Sequence, residues 1–143
     1  MPHQNPSDDE IRELLTSARR IAVVGASSNS GSPSHGIFGQ LLRAGYEVIP
    51  VNPNESSVHG QAAYPSLRAV PGPIDIVNVF RRPEHTPSIA DEAVAVGARA
   101  LWLQSGIRNE SAAERAGAGG LIVIMDACIG VLHSLLSVPR RER

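Results

Sequence analysis

Arg20-Ile-Ala-Val-Val-Gly-Ala-Ser-Ser-Asn-Ser-Gly-Ser-Pro-Ser-His-Gly36 is the stretch whose reading decides the fold. Ile21 to Val24 run apolar without a polar break, the pattern of a strand buried on both faces of a parallel sheet. Gly25 opens a loop of small and polar residues, Ala26 to Ser32, and Ser34 stands where a helix N-cap belongs. Small side chains let backbone N–H groups approach an anion, and the free amides and dipole of a following helix favour a phosphate there. Strand, tight loop and helix amino terminus, in that order, predict a phosphate-binding corner.

Before this corner, Ser7 or Asp8 can cap a first helix that carries Ile11, Leu14 and Leu15 at helical spacing. After it, Ile37, Phe38, Leu41 and Leu42 give a second helix that stops at Gly45. Tyr46 to Val51 is a second strand, with Pro50 near its end, where a lost ladder donor costs least. Asn52-Pro53-Asn54 is turn chemistry. Residues 55–73 read as loop with one short helix. Ile74 to Phe80, Arg99 to Leu103 and Leu121 to Met125 are three further strands, and helices follow from Thr86, from Asn109 and over Ile129 to Leu136.

Strands alternating with helices at a steady interval predict an α/β fold, a Rossmann-like three-layer sandwich. Its centre is a five-stranded parallel sheet in the order 3-2-1-4-5. The length predicts one domain over residues 1–143, with residues 1–6 and 138–143 flexible. Ligands of such sheets lie across the carboxyl ends of the strands at the switch point beside strand one. The loops at 25–34, 51–54, 80–83, 104–107 and 126–128 are therefore where a site belongs.

Composition narrows the function. Thirteen basic residues, all arginine, against fourteen acidic ones leave a formal net charge of -1, unlike an electrostatically driven nucleic-acid binder. With no lysine there is neither Schiff-base nor Walker-type chemistry. A lone cysteine, Cys128, excludes an internal disulfide framework, and the polar, acidic N-terminus is no signal peptide. The expectation is a soluble, cytoplasmic protein with a small-molecule nucleotide ligand, no nucleic acid and no membrane. A protein partner or homo-oligomer stays open.

A dinucleotide site of the NAD type needs G-x-G-x-x-G and an acidic residue closing strand two. Here Ser27 takes the place of the second glycine, and Val51-Asn52 close the strand, which disfavours NAD. No paired carboxylates, Ser/His/Asp order or metal-ligand spacing stands out, so neither catalytic residues nor a metal are assigned. Cys128 reads as a small buried hydrophobe and Trp102 as core.

Six segments carry a resemblance: Gly25-Ala-Ser27, Pro33-Ser34, Gly45-Tyr46 through Asn52-Pro53, Asp75 through Phe80-Arg81, Leu101-Trp-Leu-Gln104-x-Gly106, and Met125-Asp126-x-Cys128. Together they resemble the stand-alone CoA-binding-domain family, similar to the N-terminal CoA-binding domain of the succinyl-CoA ligase alpha subunit. By that resemblance Gly25, Ala26 and Ser27 meet the phosphates, with Ser34 in the same corner. Val51, Asn52 and Pro53 flank the adenosine, Phe80 and Arg81 line the crevice, and Gln104 and Gly106 face the pantetheine. Arginine forks suit a cofactor with a pyrophosphate and a ribose phosphate. Ser32 and Ala127 stand where the family carries arginine, and Gly130 and Leu132 where it is usually polar or charged. The ligase uses a phosphohistidine from a following domain. The leading expectation is thus a CoA or acyl-CoA binding module without a complete catalytic site. An NAD(P)-linked or acyl-transfer enzyme in the same crevice, and a regulatory module with a decayed site, stand as alternatives.

Overall fold

Burial along each strand alternates between two helical layers. In the computed structural model, which describes residues 2–142, the order is α1 (Asp8–Ser17), β1 (Arg20–Val24), α2 (Pro33–Arg43), β2 (Glu47–Val51), β3 (Ser57–Val58), β4 (Gln61–Ala62), β5 (Ile76–Val79), α3 (Thr86–Ala95), β6 (Ala100–Leu103), α4 (Glu110–Ala118), β7 (Ile122–Ile124) and α5 (Ile129–Leu135). Met1 and Arg143, the two ends of the expected 1–143 domain, lie outside the described residues. Ile21, Val23, Ile76, Trp102 and Ile124 pack with α1, α2 and α5. Val24, Val77, Val79, Leu101 and Val123 turn the other way, onto α3 and α4. The result is the expected α/β sandwich of helices around a five-stranded parallel sheet. Among the described residues no helix is long and apolar enough to cross a membrane.

The strand order departs from expectation. It is β2-β1-β5-β6-β7, or 2-1-3-4-5 counted within the sheet, not 3-2-1-4-5. Pro50 supplies the reason. Glu47 N–H and Val51 C=O bond toward β1, to Arg19 and Gly25. Pro50 faces the other way, where its carbonyl accepts from Tyr64 N–H at 3.0 Å. A neighbouring strand on that side would find no donor at Pro50, so β2 is an edge. The next sheet strand must then cross to the far side of β1. Asp75 fixes it there, because its carboxylate accepts from the Arg19 and Arg20 amides at 2.8 and 2.9 Å.

Two local details also differ. The segment expected to be loop contains the β3–β4 hairpin, turned by His59 and Gly60 at φ 50° and 76°. Two consecutive positive φ values are what a tight two-residue hairpin demands. Ser34 is not the N-cap of α2. Ser32 holds that position and Pro33, with φ already set for a helix, begins the first turn.

Trp102 is fully buried and its Nε1–H donates to Ala127 O at 2.8 Å. Trp102→Phe is expected to cost about 2–3 kcal/mol, from lost volume and an unpaired carbonyl. Urea denaturation followed by circular dichroism measures it, since the chain has one tryptophan.

His133 is buried against the ring of Tyr46, and its Nε2 has no hydrogen-bond partner. Burial pushes its pKa below the ordinary 6.5. The unfolded chain therefore binds more protons than the native one between the two values, and stability must rise with pH across that window. Lowering the pH below about 6.5 should destabilise the protein, and His133→Phe should flatten that slope in urea titrations at pH 5 to 7. Glu55, whose carboxyl is held below 4.5, acts in a separate and more acidic window.

Candidate functional site

β1 and β5 are neighbours, yet the chain leaves them in opposite directions, from β1 through α2 to the edge strand β2 and from β5 through α3 to β6. That divergence opens a crevice at their carboxyl ends. It is a cleft of about 780 Å³. Gly25 and Phe80 to Arg82 wall one part, the first turn of α2 another, and Gln104, Ser105, Ile107 and Cys128 the rest.

Of the residues expected at a site, Gly25, Ser34, Phe80, Arg81 and Gln104 meet in this cleft. Val51 and Pro53 line a smaller cavity of about 160 Å³, and Arg81 borders both. Ala26, Ser27, Asn52 and Gly106 line neither. Ala26 is fully buried, and its carbonyl accepts from Asn52 Nδ2 at 2.9 Å. The Gly106 amide is taken by Asp126 Oδ1 at 2.7 Å, which makes Asp126, at φ 56°, the residue that shapes this loop.

Gly25 is required by its surroundings. Its φ is 88°, and a Cβ there would lie 2.6 Å from the Phe80 carbonyl and 3.1 Å from Arg81 Cδ. The absent side chain lets the two strand ends touch. The loop beyond it is largely tied to itself. Gly25 N–H donates to Val51 O, Asn29 N–H to Ser27 Oγ, Gly31 N–H to Asn29 Oδ1 and Ser28 N–H to Glu55 Oε2. Among the described residues the amides of Ala26, Ser27 and Ser30 have no such acceptor.

The electrostatics of the cleft are one-sided. Arg81 and Arg82 line it, and neither guanidinium has a hydrogen bond or ion pair among the described residues. No acidic side chain lines it. The amino end of α2 faces the same space without a side-chain cap, while Ser32 Oγ and Ser34 Oγ bond each other at 2.9 Å. Two free guanidiniums and a helix amino end favour an anion with several oxygens. Gln104 is fixed from below, its Oε1 accepting from Ile129 N–H at 2.9 Å and Asn78 Nδ2 at 3.1 Å. Cys128 is half-buried and lines the cleft rather than sitting in the core, because it occupies the N-cap of α5 at the strand ends. Among the described residues no group of three or more His, Cys, Asp or Glu is placed to hold a metal ion.

The sequence does not foretell that Glu55 meets the loop after β1. Glu55 reaches the loop because Asn52 folds the chain back, with its Oδ1 accepting from Asn54 N–H at 2.9 Å and its carbonyl from Glu55 N–H at 3.3 Å. The Asn52-Pro53-Asn54 turn was the available signal, since it returns the next residue toward β1.

Known proteins resemble this chain in sequence and in fold. The chain is 46% identical over 132 residues to the uncharacterized protein YneT of Bacillus subtilis, covering 92% of this chain and 98% of that one. A solved structure of a hypothetical protein from Pyrococcus horikoshii superposes with a TM-score of 0.90 at 34% identity, covering 96% and 99% of the two chains. The ADP-forming acetate–CoA ligase II of Archaeoglobus fulgidus matches at 28% identity over 104 residues, 71% of this chain but 15% of that enzyme. A family model described as CoA binding domain matches residues 19–134. The chain belongs to the CoA-binding-domain family, homologous to the CoA-binding region of ADP-forming acetate–CoA ligases.

Proposed function

We propose that this chain binds CoA or an acyl-CoA in the cleft between the ends of β1 and β5 and acts as a binding module. The observation that carries this reading is the pair of unpaired arginines opposite the uncapped amino end of α2. A diphosphate bridging them gains charge-assisted hydrogen bonds from both walls. The smaller cavity beside Val51 and Pro53 suits the adenine end, with Arg81 at the junction. The apolar parts of the larger cleft, Ile37, Phe80 and Ile107, suit a pantetheine arm.

Thermal unfolding with CoA, acetyl-CoA, NAD and NADP tests the reading. A rise in Tm with CoA supports it, a rise with NAD(P) alone points to the dinucleotide enzyme, and no rise at millimolar ligand points to a decayed site. Mass spectrometry of any small molecule released on denaturation is the complementary measurement.

Ser32 lines the cleft and Ala127 immediately precedes cleft-lining Cys128. Ser32→Arg combined with Ala127→Arg is therefore expected to tighten CoA binding about tenfold in calorimetry, the value of one added charge-assisted contact. Unchanged or weaker binding would count against the pose.

A further inference from the structure

The sequence reads Cys128 as a small core hydrophobe, whereas the fold leaves its thiol half-buried on the wall of the large cleft. Gln104, only 5% exposed, lines the same wall. Its Oε1 accepts from Ile129 N–H at 2.9 Å, the amide of the residue that follows Cys128, and from Asn78 Nδ2 at 3.1 Å. Those two bonds fix the direction of the carboxamide. Its Nε2 makes no hydrogen bond among the described residues and is not sealed from solvent, so it opens into the cleft. A donor fixed on so buried a side chain is aimed at whatever acceptor enters there. The backbone amide of Cys128 likewise has no acceptor among the described residues. A thiol with two unused donors beside it is suited to a carbonyl group.

The sheet sets the distance from these groups to the anion end of the cleft. Arg81 and Arg82 follow β5, Gln104 follows β6 and Cys128 follows β7, and the three strands are consecutive neighbours. Cys128 thus stands about two strand spacings, roughly 10 Å, from the arginines. An extended pantetheine arm covers that span. A diphosphate held at the arginines therefore delivers the sulfur end of the ligand to the wall that carries Cys128.

We propose that Cys128 accepts the acyl group of a bound acyl-CoA, so that the chain becomes S-acylated in its own cleft. This rests on the CoA reading above. The Cys128 sulfur, having lost its proton to water, adds to the thioester carbonyl carbon. The carbonyl π pair moves onto oxygen, where Gln104 Nε2–H and the Cys128 amide donate to the developing charge. The pair returns as the bond from carbon to the CoA sulfur breaks, and the CoA thiolate takes a proton from water. One thioester replaces another, with no net oxidation or reduction. No Asp, Glu or His side chain lines the cleft to activate water against the new thioester, so the acyl group stays until another thiol removes it.

Incubation of the full chain with acetyl-CoA, followed by intact-mass and peptide-mapping mass spectrometry, tests this. One acetyl group should appear on Cys128, be removed by hydroxylamine and be absent from Cys128→Ala. At equal concentration acetyl-CoA should react about 100-fold faster than S-acetyl-N-acetylcysteamine, a thioester without the nucleotide. Gln104→Glu keeps the oxygen that holds Ile129 N–H and removes the free donor. Its acetylation should slow at least about tenfold relative to its alkylation by iodoacetamide, which forms no oxyanion. A merely structural Gln104 would leave that ratio unchanged. Absence of the adduct, equal rates from the two thioesters, or a ratio untouched by Gln104→Glu each overturns the inference. The Tm of Cys128→Ala with CoA is read separately. A rise there leaves the CoA reading standing whatever the acylation result, and no rise in either protein with CoA or acetyl-CoA removes both.

Discussion

Gly25→Ala is expected to lower stability by about 3 kcal/mol and to abolish measurable CoA binding. Two costs combine. A φ of 88° places an L side chain in the left-handed region, at roughly 1–2 kcal/mol. The new Cβ then meets the Phe80 carbonyl at 2.6 Å. That carbonyl has little room to retreat, because Phe80 N–H is bonded to Val24 O at 2.8 Å as part of the β1–β5 ladder. Relief would have to come from separating the strand ends that form the cleft, so folding and binding should suffer together. Gly36→Ala is the matched control. Gly36 also lines the cleft, but an added Cβ there meets nothing within 4 Å and the residue lies inside α2. It should be neutral or stabilising by up to about 1 kcal/mol. Denaturant unfolding of both variants, with calorimetry for CoA, makes the comparison. A Gly25→Ala protein as stable as the parent would contradict the packing described for this corner.

Arg81→Ala should separate binding from stability. The side chain has no hydrogen bond or ion pair among the described residues, so its loss should change unfolding by no more than about 0.5 kcal/mol. CoA affinity should drop by roughly 10- to 100-fold, since a charge-assisted contact is worth about 1.5–3 kcal/mol. Arg81→Lys should recover only part of that, because an ammonium cannot offer the planar fork. Arg82→Ala should have a smaller effect, as Arg82 borders one cavity where Arg81 borders two. Equal affinity of Arg81→Ala and the parent would remove the diphosphate from this wall of the cleft.

Much of this architecture is readable in the chain before any coordinates, and the failures have identifiable causes. The unbroken apolar run Ile21 to Val24 and the regular alternation of strand and helix periods suffice for the parallel sheet. The expected strand order fails because Pro50 marks an edge of the sheet and not merely the end of a strand. The hairpin is not legible in the sequence because its turn uses His59-Gly60 where Asn-Gly is the usual signal. The order also decides the site. Under 3-2-1-4-5 the end of the third strand would stand two strands away from Gly25, whereas in the fold it lies against it. Glu55 could not be placed by spacing alone, because its meeting with Ser28 depends on how two loops approach in space. Gly130 has a packing reason, since a side chain there would run into Gln40 Oε1, where α5 meets α2.

The outer margin of β2 at Pro50 has a bearing on how these molecules can meet one another. A chain that grows by adding strand to strand needs a receptive border on both sides of every member. Here one border lacks a donor at Pro50 and is already occupied by the Tyr64 backbone. Ribbon-like polymerisation is thereby terminated at one end of each molecule.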